Sequence, residues 1–587
     1  MPTPLQDHHP RPLLARDGWQ DLCGEWQFAY DDSDTGLAEH WERRTDVFDR
    51  VITVPYPPES PASGIHDTGY HPVLWYRRTL QVPAPPPGRR SVLRFGAVDY
   101  RADVWVNGQH VARHDGGQTP FSADITDALS SDGEQVLVVR AWDDPHDLEQ
   151  PRGKQDWEER PHVIWYERTS GIWQPVWLEE VPGDHVESLV FTPTALPGTV
   201  DVEVRLAKRS KDPVQVSIRL ELDGRILVED SCTVQGTLLR RRLVVQDSRF
   251  EAEPHRLEWS PEQPVLCDAT VTVGADSVHS YVGFRTVGTD ERSFLLNGRP
   301  YYLRLALAQG YWPQTHLAAP STEALRAEVE LIKQLGFNGV RVHQKAEDPR
   351  FLYWCDRLGL LVYADAAASY SYSSRSLART TREWIEIIER DAGHPCIAGW
   401  VAFNESWGVG QVADSEQQRD GVRALYRLLK ALDPSRPVIG NDGWEYVAGD
   451  LLGIHDYTHD PETVQRRYAD EDRVRATVAK GRPGGRRLAL GDPAPAVPVL
   501  LSEFGGFTHA PDDPTTWSGY GVADSPEQLL ERLGALLEAV HASTGLAGFC
   551  YTQLADTGQE RNGLLTEDRK PKADLDLIAR IVIGPPR

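Results

Sequence analysis

The chain has 587 residues, with 62 Lys and Arg against 87 Asp and Glu, giving a formal net charge of −25 at pH 7. At about 150 residues per domain that length requires several cores, and the acidity excludes a polyanion such as nucleic acid as the main partner. No run approaches ~18 uncharged apolar residues, so no membrane-spanning helix is expected. Met1 to Arg16 places prolines and histidines where a signal peptide needs an apolar core, and six cysteines without CxxC spacing form neither a disulfide framework nor a zinc site. The expectation is a soluble protein of the cytoplasm. The 18 Trp and 20 Tyr fill cores first, but flat rings also suit the CH-rich faces of sugars.

From about Trp19 to Val181 the chain reads as all-β. Alternating runs such as Trp75 to Val82 and Ala102 to Val106 are separated by turn residues, and Asn107-Gly108 is a strong hairpin signal. This first unit, residues 1–181, has the texture of a jelly-roll-like β-sandwich. Residues 182–286 continue the alternation with fewer aromatics. Val202 to Leu206, Gln215 to Leu222 and Ala269 to Val273 have period two, with a turn at Asp223-Gly224, which fits an immunoglobulin-like β-sandwich.

After Val287 the pattern changes to β-type runs alternating with amphipathic helices. Tyr301 to Leu307 precedes a helix capped by Ser321 and closed by Gly336. Gly339 to Val342, Leu360 to Tyr363, Ile397 to Ala402, Val438 to Gly440, Leu451 to Ile454, Val497 to Leu501 and Ala547 to Tyr551 supply the later strands. Ser415 with Gln418 predicts a capping box for one of the intervening helices. Eight strands, nearly all followed by helices, over residues 287–587 predict a (β/α)8 TIM barrel, whose active site sits at the C-terminal strand ends.

Candidate site residues follow from those ends. Asn404, Glu405 and Trp407 follow the fourth strand and Glu503 the seventh. Arg341 and His343 end the second, His455 and Tyr457 the sixth, while Trp312 follows the first and Gln553 the eighth. Two carboxylates facing each other across a barrel mouth suit glycosidic bond cleavage, in which one carboxyl protonates the leaving oxygen and the other, about 5–5.5 Å away in a retaining enzyme, attacks the anomeric carbon. Arg341 beside Glu503 would keep it ionised, Tyr457 would orient it, Asn404 would bond a sugar 2-hydroxyl, and Trp407 offers a stacking face.

Several long motifs carry a family resemblance. They are Gly399-Trp400-Val401-Ala402-Phe403-Asn404-Glu405-Ser406-Trp407, Pro498 to Gly505, Gly336 to Arg341, and Tyr551-Thr552-Gln553-Leu554 with Asn562 to Thr566 and Arg569 to Lys572. In the first domain they are Trp105 to Gly108, Gly117 to Phe121 and Gly171 to Trp177. The chain resembles glycoside hydrolase family 2 over nearly its whole length. The resemblance implies a retaining exo-β-glycosidase with Glu405 as acid/base and Glu503 as nucleophile, acting on a small glycoside or oligosaccharide, with no cofactor and no metal. It leaves the sugar open. Glucuronide-cleaving members carry an Asn-x-Lys motif, for which Glu560-Arg561-Asn562 stands here, so β-galactoside is the default expectation, with β-glucuronide (Arg561 substituting for the missing grip), β-mannoside, β-glucoside and arabinoside behind it. Ala308 leaves the first strand end without an acid. At the third, where Asp365 is the only acid, the small run Ala366 to Tyr370 reads as a pocket shaped for a less common substrate.

Competing readings stand beside these. Arg341 can serve as a structural partner to a buried carboxylate, and His343 as a satisfied barrel-mouth histidine. Trp407 and Trp312 can be packing residues. His455, Asp456 and Tyr457 have no second cluster with metal-ligand spacing. Asp99, Tyr100 and Trp165 are candidates to line the site from the first sandwich. Pro151-Arg152-Gly153-Lys154-Gln155 is either a polar loop reaching the site or a Gly-marked turn. The rival class is a non-catalytic carbohydrate-binding protein, and a homo-oligomer is compatible with everything above.

Overall fold

The computed structural model describes residues 4–131, 133–209, 212–247, 252–491, 495–509 and 521–586. The first sandwich packs a six-stranded sheet (Arg50–Val54, Gly24–Tyr30, Val73–Gln81, Glu134–Trp142, Arg101–Val106, Gln109–Asp115) against a four-stranded one (Trp19–Asp21, Val176–Pro182, Arg89–Phe95, Phe121–Asp124). The alternation seen in the sequence directs Trp26, Phe28, Tyr76, Leu93, Phe95 and Val104 into one core. The Asn107-Gly108 hairpin forms as expected: Val106 pairs with Gln109, and both turn residues take positive φ, 52° and 75°. Two positive φ values are what a type I′ turn requires.

The second sandwich sets three strands (Val186–Pro193, Thr199–Leu206, Leu238–Val244) on four (Arg225–Val234, Val214–Leu222, Cys267–Val273, Asp276–Val282). Buried Arg16 ties the two sandwiches together, pairing with Glu179 at 2.7 Å and Asp276 at 2.9 Å.

The remaining chain forms an eight-stranded parallel barrel. Its strands are β1 (Leu303–Ala308), β2 (Gly339–Val342), β3 (Leu361–Asp365), β4 (Ile397–Val401), β5 (Val438–Ile439), β6 (Leu452–His455), β7 (Val499–Phe504) and β8 (Gly548–Tyr551). Hydrogen bonding runs in the order β5-β4-β3-β2-β1-β8-β7-β6, so the barrel is closed except between β5 and β6, where β5 is two residues long. Helices Thr322–Gln334, Pro349–Leu358, Ser374–Asp391, Glu416–Leu432 and Pro526–His541 cover it outside. Ser321 and Ser415 cap two of them as expected, and Ser525 caps a third. The capping box at Ser415 is only half formed, because the Gln418 side chain accepts from Gln411 N–H instead. Among the described residues no helix is long and apolar enough to cross a membrane.

The first sandwich docks on the barrel mouth. Arg152 and Gly153 both donate backbone N–H to Ala368 O at 3.0 Å, and Gly117 N–H donates to Glu383. A Cβ on Gly153 would lie 2.4 Å from Gln344 O and 3.3 Å from the Ala367 Cβ. The alanines after β3 therefore have a packing reason: they leave room for this loop rather than shaping a sugar pocket.

Candidate active site

Arg341 organises the mouth. It points inward from β2, 1 % exposed, and its planar fork serves two sets of acceptors. Nη1 donates to Glu503 at 3.0 Å and lies 2.5 Å from Asp442. Nε and Nη2 bond the two oxygens of Asp365 at 3.1 and 2.9 Å, and Nη2 also reaches Asn404 Oδ1 at 2.8 Å. One cation thus joins β2, β3, β7 and the loops after β4 and β5, a geometry that a single ammonium cannot reproduce. Burial opposes its charge, but Asp365, Asp442 and Glu503 hold its pKa well above the usual arginine value.

Asp442 was not singled out in the sequence. It follows the shortest strand, accepts from Ser502 Oγ at 2.7 Å, and fits only because β6 carries Gly453, whose Cβ would fall 1.5 Å from Asp442 Oδ1. Burial would raise its carboxyl, yet Arg341 and His455 keep it below the ordinary range.

Glu405 leaves β4 in the left-handed region, φ 52°, followed by Ser406 at φ 60°. Such conformations cost about 1–3 kcal/mol each and persist where surrounding contacts enforce them. Here Glu405 N–H donates to Asp442 O at 2.9 Å, Ser406 N–H to Asn441 Oδ1 at 3.0 Å and Ser406 Oγ to Glu445 at 2.6 Å. The enforced turn aims the Glu405 carboxyl across the mouth toward Glu503.

His455 lies between the two glutamates. Its Nδ1 is 2.7 Å from Glu405 Oε1, and its Nε2 is 3.3 Å from both Glu503 Oε1 and Asp442 Oδ2. Glu405, His455 and Glu503 bring one polar atom each to within 4.8 Å of one another. Burial would lower the imidazole pKa, but Glu503, Asp442 and Glu405 push it up to about 10. Burial in turn would raise Glu405, while the hydrogen bond and charge of His455, with Lys154 and Arg341 behind, hold it below its ordinary value. The Tyr457 hydroxyl donates to the other oxygen of Glu503. The neighbouring Asp456 turns away to Arg467 and Tyr468.

A cavity of 40 Å³ opens above these groups, with Glu405, Glu503, Asn404, His343, Trp407 and Tyr457 in its wall. His343 bonds Asp365 at 3.1 Å; burial, then Arg341, drives its pKa well below the usual value, so it is neutral. Trp407 meets Trp165 and Tyr370 edge-on at 5.6 and 5.2 Å, and Trp165 Nε1 donates to the Tyr370 hydroxyl at 2.7 Å. Of the three sandwich residues considered, Trp165 lines the cavity, while Asp99 and Tyr100 do not. Asp99 instead accepts from Gln155 at 2.8 Å and so braces the loop of Lys154.

Four expected site residues are absent from the wall: Arg341 and His455, which lie behind the two glutamates they contact, and Trp312 and Gln553, which touch neither glutamate. The Trp312 ring is covered by the Arg569 guanidinium at 3.7 Å, which is itself fixed by Glu328 and Tyr311 O, so Trp312 is a packing residue. Gln553 sits one layer below, bonding Gln309 at 2.9 Å and Asn562 at 2.7 Å, and only Gln309 reaches the cavity. Arg561 pairs with Glu567 at 2.8 Å and does not line the cavity. Lys154 and Glu560 do line it, one from each domain. A roomier cavity of 340 Å³ lies elsewhere, between the sandwiches and the barrel, and holds none of these residues.

A parallel barrel with facing carboxylates at its mouth and flanking sandwiches fits a glycoside hydrolase. Residues 19–182 match the family description "Glycosyl hydrolases family 2, sugar binding domain", and residues 287–464 match "Glycosyl hydrolases family 2, TIM barrel domain". The chain belongs to family 2 of the glycosyl hydrolases. It is similar to a β-glucuronidase of Canis lupus familiaris, 27 % identical over 97 % of this chain and 91 % of that protein. It is also similar to a β-galactosidase of Thermoanaerobacter pseudethanolicus, 26 % identical over 72 % of this chain and 54 % of that one. Among solved structures, a β-glucuronidase of Faecalibacterium prausnitzii superposes with a TM-score of 0.76 at 23 % identity, covering 97 % of this chain and 98 % of that one. A β-galacturonidase of Eisenbergiella tayi superposes with 0.73 at 22 %, covering 96 % of each chain. At these identities the structural likeness speaks for the fold.

Proposed function

We propose that the protein is a retaining exo-β-glycosidase that removes a terminal β-linked sugar by double displacement. The observation that carries the reading is the separation of the two carboxylates: an oxygen of Glu405 and an oxygen of Glu503 lie within 4.8 Å of each other, bridged by His455. Carboxyl groups stand about 5–5.5 Å apart in retaining enzymes and about 6.5–9.5 Å apart in inverting ones, which must admit a water, and so close an approach of two oxygens supports the shorter spacing. Glu503, held by Arg341 and Tyr457, attacks the anomeric carbon. Glu405 delivers the proton to the leaving oxygen, the bond to the aglycone breaks, and Glu405 then takes a proton from the water that releases the sugar. In the free site the proton that Glu405 must deliver sits on His455, whose Nδ1 is 2.7 Å from Glu405, so His455 must pass it to Glu405 before the bond breaks. Ile164 and Trp165 of the sandwich loop wall one side of the cavity, which favours a chain end over a chain interior. Neither the fold nor this chemistry calls for nucleic acid as a partner.

For the sugar, β-galactoside is the first candidate, because the Glu560 carboxylate lines the cavity and Arg561 is engaged by Glu567, which disfavours a substrate carboxylate. A β-glucuronide is the second reading, supported by the names of relatives that match 97 % of this chain. Nitrophenol release from β-galactoside, β-glucuronide, β-glucoside, β-mannoside and arabinosides, with Glu503→Gln alongside, tests both. Turnover of one member that vanishes in the variant is expected. Turnover that survives in the variant refutes the role of Glu503, and preference for the glucuronide refutes the galactoside reading.

A further inference from the structure

Lys154 belongs to the first sandwich, yet its ammonium serves the barrel. The loop carrying it is built for that reach: Gly153 at φ 62°, two backbone donors on Ala368 O, the Tyr370 hydroxyl on Gly153 O, and Gln155 on Asp99. Its backbone is closed on the other side by Tyr166 N–H, which donates to Lys154 O at 2.8 Å. The side chain is 7 % exposed and enters the cavity that holds Glu405 and Glu503. Its ammonium lies 5.4 Å from the Tyr166 ring centroid. Among the described residues it makes no hydrogen bond and no ion pair. An ammonium that faces a cavity with its donors unused by the protein is free to serve a ligand there.

The same cavity wall holds Glu560, brought in by the barrel loop after β8 and 3 % exposed. The Tyr166 hydroxyl occupies one of its oxygens, and the cavity wall includes the side chain. Gln559 locks that loop to the sandwich by donating to Trp165 O at 2.8 Å and Val163 O at 2.9 Å. The two domains thus present one donor-only cation and one acceptor-only anion to the same small space, beside the carboxylates where the glycosidic bond would break.

From this juxtaposition we infer that Lys154 and Glu560 form a sugar-gripping pair that selects an uncharged polyhydroxylated ring in the cavity. The inference rests on the glycosidase reading above and names its substrate class. A hydroxyl both donates and accepts, so neighbouring hydroxyls satisfy the pair together: one accepts from the Lys154 ammonium while another donates to Glu560. A carboxylate in place of a hydroxymethyl group has no donor for Glu560 and faces it as a like charge in a water-poor site, which the attraction of Lys154 only offsets. The selection is electrical and needs no change in ring shape.

Two substrate pairs isolate that term, since each pair differs only at C6: 4-nitrophenyl β-galactoside against β-galacturonide, and β-glucoside against β-glucuronide. Wild-type protein is expected to favour the neutral member. Glu560→Gln should raise the uronide-to-neutral ratio of kcat/KM at least tenfold. Lys154→Met should lower kcat/KM for the neutral member about 100-fold and shift the ratio further against the uronide. Far-ultraviolet dichroism and thermal midpoints establish that both variants are folded, and Lys154→Arg, which keeps the charge, should recover part of the activity. Ratios within twofold of wild type in both variants overturn the inference while leaving the glycosidase reading intact. If wild type turns over none of the four, the glycosidase reading is left to the mannoside and arabinosides of the panel above, and calorimetry with galactose and galacturonic acid decides the pair. Binding of galactose that is lost in Lys154→Met supports it. Binding equal in wild type and variant, or no binding at all, overturns it.

Discussion

Replacing Arg341 by Met keeps the length of the side chain and removes the cation that three buried carboxylates share. Arg341 is 1 % exposed and Asp365, Asp442 and Glu503 are buried around it. Removing one partner of a buried ion pair costs about 3–5 kcal/mol because the other charge remains in place without compensation. For a unit the size of the barrel, about 2 °C per kcal/mol converts this to a fall in Tm of about 6–10 °C at neutral pH.

The pH dependence of that fall carries a signature. Asp442 is held below its unfolded value, so its stabilisation is present above the unfolded pKa and is lost as pH falls through the folded one. Asp365 is the opposite case: burial pushes it up to about 6 despite Arg341. Its contribution favours the fold when it is protonated, below 3.8, and that contribution is lost as pH rises through about 6, a penalty on the order of 3 kcal/mol at pH 7. Without Arg341 both carboxyls titrate higher, so the variant recovers as they protonate. Scanning calorimetry of both proteins at pH 5, 6, 7 and 8 should show the Tm gap widest at pH 8 and narrowest at pH 5. A gap under 2 °C at neutral pH, or one independent of pH, would refute the electrostatic account of the barrel mouth.

Three further perturbations probe the same site. His455→Asn removes the imidazole that keeps its proton up to about pH 10, so the basic limb of kcat/KM should move to lower pH, and an unmoved limb contradicts the bridging role. Because the folded pKa of His455 is raised above 6.5, its stabilisation is full below pH 6.5 and is lost as pH rises through about 10; pH-dependent unfolding of wild type and variant should diverge at low pH and converge above that value. Glu405→Gln should spare glycosides with good leaving groups and disable poor ones, and equal losses on both would remove Glu405 as the acid. Gly153→Ala, at φ 62° with its Cβ 2.4 Å from Gln344 O, should cost about 1–3 kcal/mol in stability and at least tenfold in kcat/KM by withdrawing Lys154; unchanged kinetics would mean that the loop does not serve the site.

Period-two alternation and the later strand–helix alternation made the three-part architecture readable in the sequence, because both patterns are local. The strand ends likewise located Glu405, Glu503, Arg341, His455, Asn404 and Tyr457, since in a parallel barrel the C-terminal end of each strand opens on one mouth. Trp312 and Gln553 show the limit of that rule: position after a strand fixes height in the barrel but not direction, and Arg569 and Gln309 decide where those side chains go. Asp442 was hidden behind a two-residue strand. Lys154 and Glu560 lie about 400 residues apart in the chain and meet only through domain docking. The alanines after β3 were visible as an oddity, but their cause, the backbone of a sandwich loop pressed against them, is a tertiary fact.

The central claim is that Glu405 and Glu503 are close enough for direct attack on the anomeric carbon. Proton NMR of the first sugar released from whichever 4-nitrophenyl β-glycoside the protein hydrolyses fastest, recorded before mutarotation, tests it directly. The account predicts that the β-anomer appears first, the product of two inversions. The α-anomer appearing first would mean a single displacement by water and would contradict the assignment of Glu503 as nucleophile.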